Sequence, residues 1–415
     1  MKQSENVHEL AAKLFREQSG KLTGVLVRSF GIETLEILQD AVQDTFETAL
    51  NNWQKHGVPE APEAWLMRVA RNKALNALQR SKKQTRLSTS VFAGNTAADE
   101  QSEQLLPGQI ADSELRLLFA CVQLDFPIRN RVLLALHLMC GLGIAELAAA
   151  LFMQSEAVKK ALFRMKAELR AKPGLLETAW PMLSEQRVKD VQLVLYLMFN
   201  EGCKTTRSNV IINHDLCFGA MRLNKLLCER TIAAHEESCG LMALMFFALS
   251  RFPARVDAAG AIVPLAAQDR SKWDARYITE GYNWLNKAKG GGRFYLEALI
   301  SSVHCAAADF GSTNWKHIVF LYRQLQQLTA SPAVNLNLLL ARSYAETPET
   351  VLPELKALRQ DAAEQNLSLL LAAEADLLQR AGNFSEAKKA FIAAANATIS
   401  TPEKQLYLKR AAQCA

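Results

Sequence analysis

The sequence predicts an all-α chain, and three observations carry that prediction. Apolar residues recur at helical spacing through nearly every segment of the 415 residues. No stretch alternates apolar and polar residues as a half-buried strand would. Through the first 170 residues each apolar stripe is matched by a polar or charged one, so these helices offer one face to a core and another to a partner.

The length allows two to four domains. A hydrophobic content of 49% with 22% charged residues is that of a soluble globular protein. The net charge of +6 is mild, but it is unevenly spread. Residues 63–86 carry Arg68, Arg71, Lys73, Arg80, Lys82, Lys83 and Arg86 against Glu63 alone. Residues 87–115 hold no Lys or Arg, only Asp99, Glu100, Glu103, Asp112 and Glu114. Basic charge returns with Arg129, Arg131, Lys159, Lys160, Arg164, Lys166, Arg170 and Lys172. This alternation reads as two nucleic-acid faces joined by a linker.

A polar N-terminus without a signal-like core, and a longest apolar run of only 241–249, point away from a membrane. Eight cysteines without a Cys-x-x-Cys pair read as reduced, half-buried thiols of a cytoplasmic protein. His214, Cys217, Cys228, His235 and Cys239 match no compact zinc module. Neither a Ser-His-Asp set, a phosphate loop nor metal-spaced carboxylates stand out, so no cofactor and no enzymatic chemistry are expected.

The helix expected at 33–51 places Glu33, Glu36, Asp40, Gln43, Asp44 and Glu47 on one arc of roughly 100°. Leu35, Leu38, Val42, Phe46 and Ala49 form its opposite side. The next helix puts Trp65, Arg68, Asn72, Asn76, Gln79 and Lys83 within roughly 80° of arc, backed by Leu66, Ala70, Ala74, Ala77 and Leu78. An aromatic platform beside cations and amides suits single-stranded nucleic acid. The acidic ridge suits a basic protein surface.

The run Asp40-Ala41-Val42-Gln43-Asp44-Thr45-Phe46, followed by Trp65-Leu66 and Val69-Ala70-Arg71-Asn72, resembles region 2 of the extracytoplasmic-function sigma factors. Those are promoter-recognition subunits of bacterial RNA polymerase. The resemblance implies that Asp40, Gln43, Asp44 and Glu47 dock on the core enzyme. It gives Trp53, Trp65, Arg68, Arg71, Asn72, Arg80 and Lys83 to the opened minus-ten strand, with the loop 53–62 receiving an extruded base. Flipping a base costs a few kcal/mol, which stacking at about 1–3 kcal/mol per base offsets.

Residues 87–112 read as an acidic flexible linker. A second module spans 113–172: the segment from Gly141 to Ala148, then Phe152-Met153-Gln154-Ser155, then a basic helix, a helix-turn-helix pattern. Val158, Ala161, Leu162, Met165 and Leu169 face inward on the last helix, and Ser155 is its expected N-cap. Placed after a region-2-like module, this resembles sigma region 4. The resemblance implies minus-thirty-five contacts by Ser155, Glu156, Lys159, Lys160 and Arg164. Outward Phe163 has two readings, thymine methyls or the polymerase surface.

After a linker at 173–190, residues 191–415 contain Tyr196-Leu197-Met198-Phe199-Asn200-Glu201-Gly202, Asp215-Leu216-Cys217, Gln268-Asp269-Arg270-Ser271-Lys272-Trp273 and Thr313-Asn314-Trp315. These phrases resemble the subgroup with a long helical C-terminal extension, with Cys203 and Gly219 departing from its pattern. Gly382, Phe384, Ala387, Phe391 and Ala394 fit half of a tetratricopeptide unit, which predicts a helical array. The expected function is thus a cytoplasmic sigma factor. Its partners are core RNA polymerase, promoter DNA both duplex and opened, and a protein or ligand regulator at the C-terminal array. The rival reading is an interaction scaffold whose sigma-like half does not transcribe.

Overall fold

The computed structural model describes residues 2–86, 107–151, 153–176, 185–203, 212–230, 235–258, 260–329, 331–360, 364–398 and 400–414. The fold is all-α: among the described residues the one extended pairing is an isolated bridge between Val256 and Ile262. The chain divides into two compact units. One comprises Met1–Gly202 with His214–Leu226; the other comprises Cys203–Asn213 with Leu227–Ala415.

In the first unit α1 (Lys2–Phe30) is the spine, packing against α2 (Leu35–His56), α3 (Pro62–Arg86), α4 (Pro107–Val122) and α5 (Ile128–Cys140). Leu22, Leu26, Leu35, Leu38, Leu66, Leu115 and Leu118 are buried. Two glycines one helical turn apart allow the crossing. A Cβ on Gly20 would lie 2.5 Å from the Met139 carbonyl oxygen, and one on Gly24 would lie 3.0 Å from the Glu114 backbone. The short α6 (Ile144–Ala150) then turns into α7 (Ser155–Ala171). The Gly143 N–H donates to Glu146 Oε2 at 2.9 Å, a carboxylate closing the start of α6.

The sequence-expected linker 87–112 divides here: 87–106 lie outside the described residues, and α4 already begins at Pro107. Glu114, read from sequence among the linker-side acids, is fully buried in α4. Its carboxylate accepts two bonds from Arg222 of α9 (His214–Arg230), at 2.6 and 2.8 Å. Burial opposes the Arg222 charge, but attraction and hydrogen bonds from Glu114 outweigh it and raise the guanidinium pKa. Arg16 of α1 also pairs with Asp215 of α9. α8 (Glu185–Cys203) contributes through Asp190, 3.1 Å from Arg131. These ties explain why this unit takes in sequence well beyond residue 190.

The second unit runs from α10 (His235–Ser250) through α11 (Ala275–Lys287), α12 (Arg293–Ala306), α13 (Trp315–Leu328), α14 (Pro332–Ala345), α15 (Pro348–Gln360), α16 (Glu364–Arg380) and α17 (Phe384–Ala397) to α18 (Thr401–Ala412). Each helix packs on the next. Ile318, Leu321 and Leu325 fill one seam, Val351, Leu355 and Leu377 another, and Ala387, Phe391 and Ala394 the last. Gly382 turns between α16 and α17 as the pattern predicts, whereas Phe384 is exposed rather than a filler between helices. At the C-terminal end of α12, Arg270 donates to the carbonyls of His304 and Ala307 at 2.6 and 2.7 Å, satisfying the end of that helix. Trp315 stacks on Tyr344 with centroids 4.5 Å apart, and Arg380 covers Tyr344 at 3.7 Å.

Replacing Arg222 with Met strands the Glu114 carboxylate in the interior and should destabilise the first unit by about 3–5 kcal/mol. Urea unfolding of the full chain checks this, and adding Glu114→Leu should recover most of the loss.

Candidate polymerase and nucleic-acid interface

On α2 the buried set is Leu35, Leu38, Ala41, Val42, Thr45, Phe46, Ala49 and Trp53. The opposite face leaves Asp40, Gln43, Asp44 and Glu47 exposed together, as the helical period requires. α2 ends at Gly57, whose φ of +82° suits glycine and whose N–H closes on the Trp53 carbonyl at 3.0 Å. The connecting loop is therefore short, with α3 starting at Pro62, where a missing N–H costs nothing.

Trp53 is a correction to the sequence reading. It does not belong to the loop or to an open surface; it sits inside the last turns of α2, 1% exposed. Its ring lies 5.6 Å from that of Trp65, tilted by 58°, so Trp53 props Trp65 from below. Trp65 itself is half-buried at the start of α3. Gln18 of α1 donates to Glu63 at 2.8 Å and fixes that same turn.

Along α3, Leu66, Ala70 and Ala74 are buried. Arg68, Asn72, Asn76, Gln79, Arg80 and Lys83 are exposed, while Arg71 is half-buried. None of Arg68, Arg71, Arg80 or Lys83 forms an ion pair within the described residues, so their charge is available to phosphates. The arrangement offers one supported aromatic edge, amides one turn further on, and cations along a track of several turns. That is the chemistry of a single-strand platform.

The helix α7 shows the same division. Val158, Leu162, Met165 and Leu169 of α7 are buried; Ser155, Glu156, Lys159, Lys160 and Arg164 are exposed. Ala161, expected inward, is half-buried on the flank. Ser155 is not the N-cap: Gln154 holds that position without a side-chain bond, and Ser155 opens the helix with its side chain in solvent. Lys159 is paired with Glu156 at 2.8 Å, which leaves Lys160 and Arg164 as the free cations of that face. Phe163 is 67% exposed between them.

Two residues counted from sequence among the basic charge of the second nucleic-acid face lie instead beside the acidic face of α2. Arg170 reaches Glu36 at 3.0 Å, and the half-buried Lys166 lines a cleft with Glu36 and Asp40. No local pattern signals a pairing across 134 residues. Among the described residues no three His, Cys, Asp or Glu side chains converge as a metal site. None of the cysteines is in a disulfide, and burial pushes the Cys140 thiol up to about 12. No described helix is long and apolar enough to cross a membrane.

Residues 14–84, which hold the α2 ridge and the α3 track, match the family model described as Sigma-70 region 2. Over those residues the chain carries a Sigma-70 region 2 domain. The chain also matches, over residues 187–289, a family of unknown function designated DUF6596. It is 32% identical over 373 residues to an uncharacterized protein of Rhizobium meliloti (strain 1021), covering 89% of this chain and 87% of that relative. No solved structure matches it. Region 2 implies interaction with core RNA polymerase and promoter DNA, a sigma-factor-like role.

Removing the ring by Trp65→Ala should weaken binding of a single-stranded oligonucleotide by about 5- to 150-fold, the equivalent of ~1–3 kcal/mol of stacking. Fluorescence anisotropy with the full chain measures it, and an unchanged affinity would take Trp65 out of the interface.

Proposed function

We propose that this protein is a promoter-specific sigma factor of the extracytoplasmic-function type, acting in the cytoplasm with bacterial core RNA polymerase. The observation that carries the reading is the juxtaposition, inside the Sigma-70 region 2 match, of an exposed carboxylate face on α2 and an unpaired cationic track with Trp65 on α3. In this reading Asp40, Gln43, Asp44 and Glu47 grip the core enzyme. Trp65, Arg68, Arg71, Asn72, Arg80 and Lys83 hold the opened minus-ten strand.

The module of α4 to α7 acts as region 4 and enters the minus-thirty-five major groove with α7. Lys160 and Arg164 neutralise phosphates there, and Ser155 and Glu156 lie at the helix end nearest the bases. Residues 87–112 act as the inter-module linker. The helices of the second unit form a tetratricopeptide-like array that regulates the sigma half through a bound protein or small ligand; stacked helix pairs are a common basis for recognition.

Purified protein, core polymerase and a promoter library in a multi-round transcription assay test the proposal. Specific transcripts absent with core alone are expected. Polymerase binding without any transcript, across a library containing the protein's own upstream region, would instead favour a scaffold. Reversing Asp40 and Asp44 to Lys should lower core affinity at least tenfold while the far-ultraviolet dichroism stays unchanged, and full retention of binding would refute the docking face. In a duplex titration, Lys160→Ala with Arg164→Ala should reduce the salt slope by about 2, near one unit for each lost phosphate contact.

A further inference from the structure

The second unit holds two half-buried arginines that no carboxylate pairs. Arg251, just after α10, and Arg270, in the turn before α11, share one indole, with guanidinium carbons 5.6 and 5.0 Å from the centroid of the Trp273 ring. Neither forms an ion pair among the described residues. The acids near Arg270 in sequence are engaged elsewhere. Asp269 accepts from the Ser271 N–H and hydroxyl at 3.0 and 2.6 Å, and Asp274 caps α11 through the Arg276 N–H at 2.9 Å. Asp309, whose charge acts on Arg270, is exposed and accepts from the Ser312 N–H at 2.7 Å.

The two arginines differ in what their N–H groups have found. Arg270 gives its terminal nitrogens to the carbonyls of His304 and Ala307 and to the Thr313 hydroxyl, while its buried Nε has no partner. Arg251 has one side-chain bond, from Nε to Gln268 Oε1 at 3.4 Å, with neither terminal nitrogen bonded among the described residues. Trp273 is 6% exposed and its buried indole Nε1 has no partner; nor has Nδ1 of His304, in the last turn of α12. Burial, and behind it the charges of Arg255 and Arg270, pulls the Arg251 guanidinium pKa down to about 10. Burial and then the charges of Arg251 and Arg270 hold the His304 ring neutral, its pKa pulled down to about 4. A cation–π contact is weaker than the solvation a buried charge gives up, so the ring alone does not balance two cations. The complement of such a set is a negative charge with several acceptor oxygens, since guanidinium forks match phosphate and carboxylate geometry.

We propose that Arg251, Arg270 and Trp273 form a binding site for a small oxyanion of the phosphate or carboxylate class. Arg251 supplies the main grip, because its fork is uncommitted. The Nε–H of Arg270 and the indole N–H are two further donors in the same cluster. A bound anion stabilises both guanidinium charges and stiffens the junction of the turn 270–272 with α12 that Arg270 already ties. The site gives a chemistry to the small ligand assigned above to the array. That regulatory role rests on the sigma reading, whereas binding of the anion does not.

Thermal unfolding of the full chain at constant ionic strength, with chloride replaced by inorganic phosphate or by succinate, tests this. At least one oxyanion should raise the midpoint by about 3–6 °C, as expected for an anion well above its dissociation constant. A response to phosphate alone assigns a phosphoryl ligand, one to succinate alone a carboxylate, and one to both the oxyanion in general. Cations of the nucleic-acid faces also attract phosphate, so the response must be lost in Arg251→Met. In chloride that variant should melt no lower than the parent, since it strands no carboxylate. Trp273→Phe, which keeps a ring but removes the indole N–H, should show a weakened response. In the parent chain, phenylglyoxal modification of Arg251, mapped by mass spectrometry, should slow about fivefold in the effective anion. Midpoints indifferent to both oxyanions, or a response retained in Arg251→Met, would overturn the proposal. So would Arg251 modification that neither anion slows, a result that needs no variant to fold. If the anion binds but the chain yields no transcript with core polymerase, the sigma reading falls and the site stands.

Discussion

The buried pair of Glu114 and Arg222 is the constraint on which the first unit depends. A carboxylate with no exposure at all has no water to solvate it, and its only adequate substitute is the two-pronged guanidinium. That requirement fixes α9 against α4. The close approach of α1 to α4 and α5 at Gly20 and Gly24 follows from the same crossing, because no side chain intervenes there. Pairs of this kind add little net stability over a hydrophobic equivalent, but they tolerate no mispairing. Their contribution is specificity of arrangement.

Function in this molecule is a matter of which charges are left unpaired. Arg222, Arg16 and Arg131 are spent on internal carboxylates. Arg68, Arg71, Arg80 and Lys83 of α3 remain free among the described residues, and so do Lys160 and Arg164 on α7. The acids of α2 divide along the helix: Asp44 and Glu47 face solvent, while Glu36 is engaged by Arg170. A net charge of +6 conceals all of this, since the same count is compatible with every cation being internally neutralised.

Helical periodicity made the all-α class and the two faces of α2, α3 and α7 legible, because burial on a helix follows a fixed angular rule. Leu66, Ala70 and Ala74 lie where that rule puts them. Trp53 escaped it for a local reason. The helix continues one turn further than the turn-like residues after it suggest, and that extra turn swings the ring into the core. Glu114 and Lys166 escaped for a different one. Their surroundings are made by helices 108 and about 130 residues away, and spacing along a chain carries no record of which helices later cross. Charge counting grouped Glu114 with the acids of the basic-free stretch 87–115; only the crossing of α1 and α4 reveals it as interior.

The position of Arg222 also bears on how such a chain can change over generations. An appended regulatory segment joined by a free tether is lost by a single premature stop, with the older half left intact. Here the arginine that satisfies Glu114 lies downstream of the region 2 match, inside the stretch that matches the family of unknown function. Shedding the extension without prior replacement of Glu114 would leave the N-terminal half with a charge trapped in its middle. The two parts are therefore bound as a hereditary unit, and the extension can diversify in its distal helices while its first helices stay tied to the half they complete.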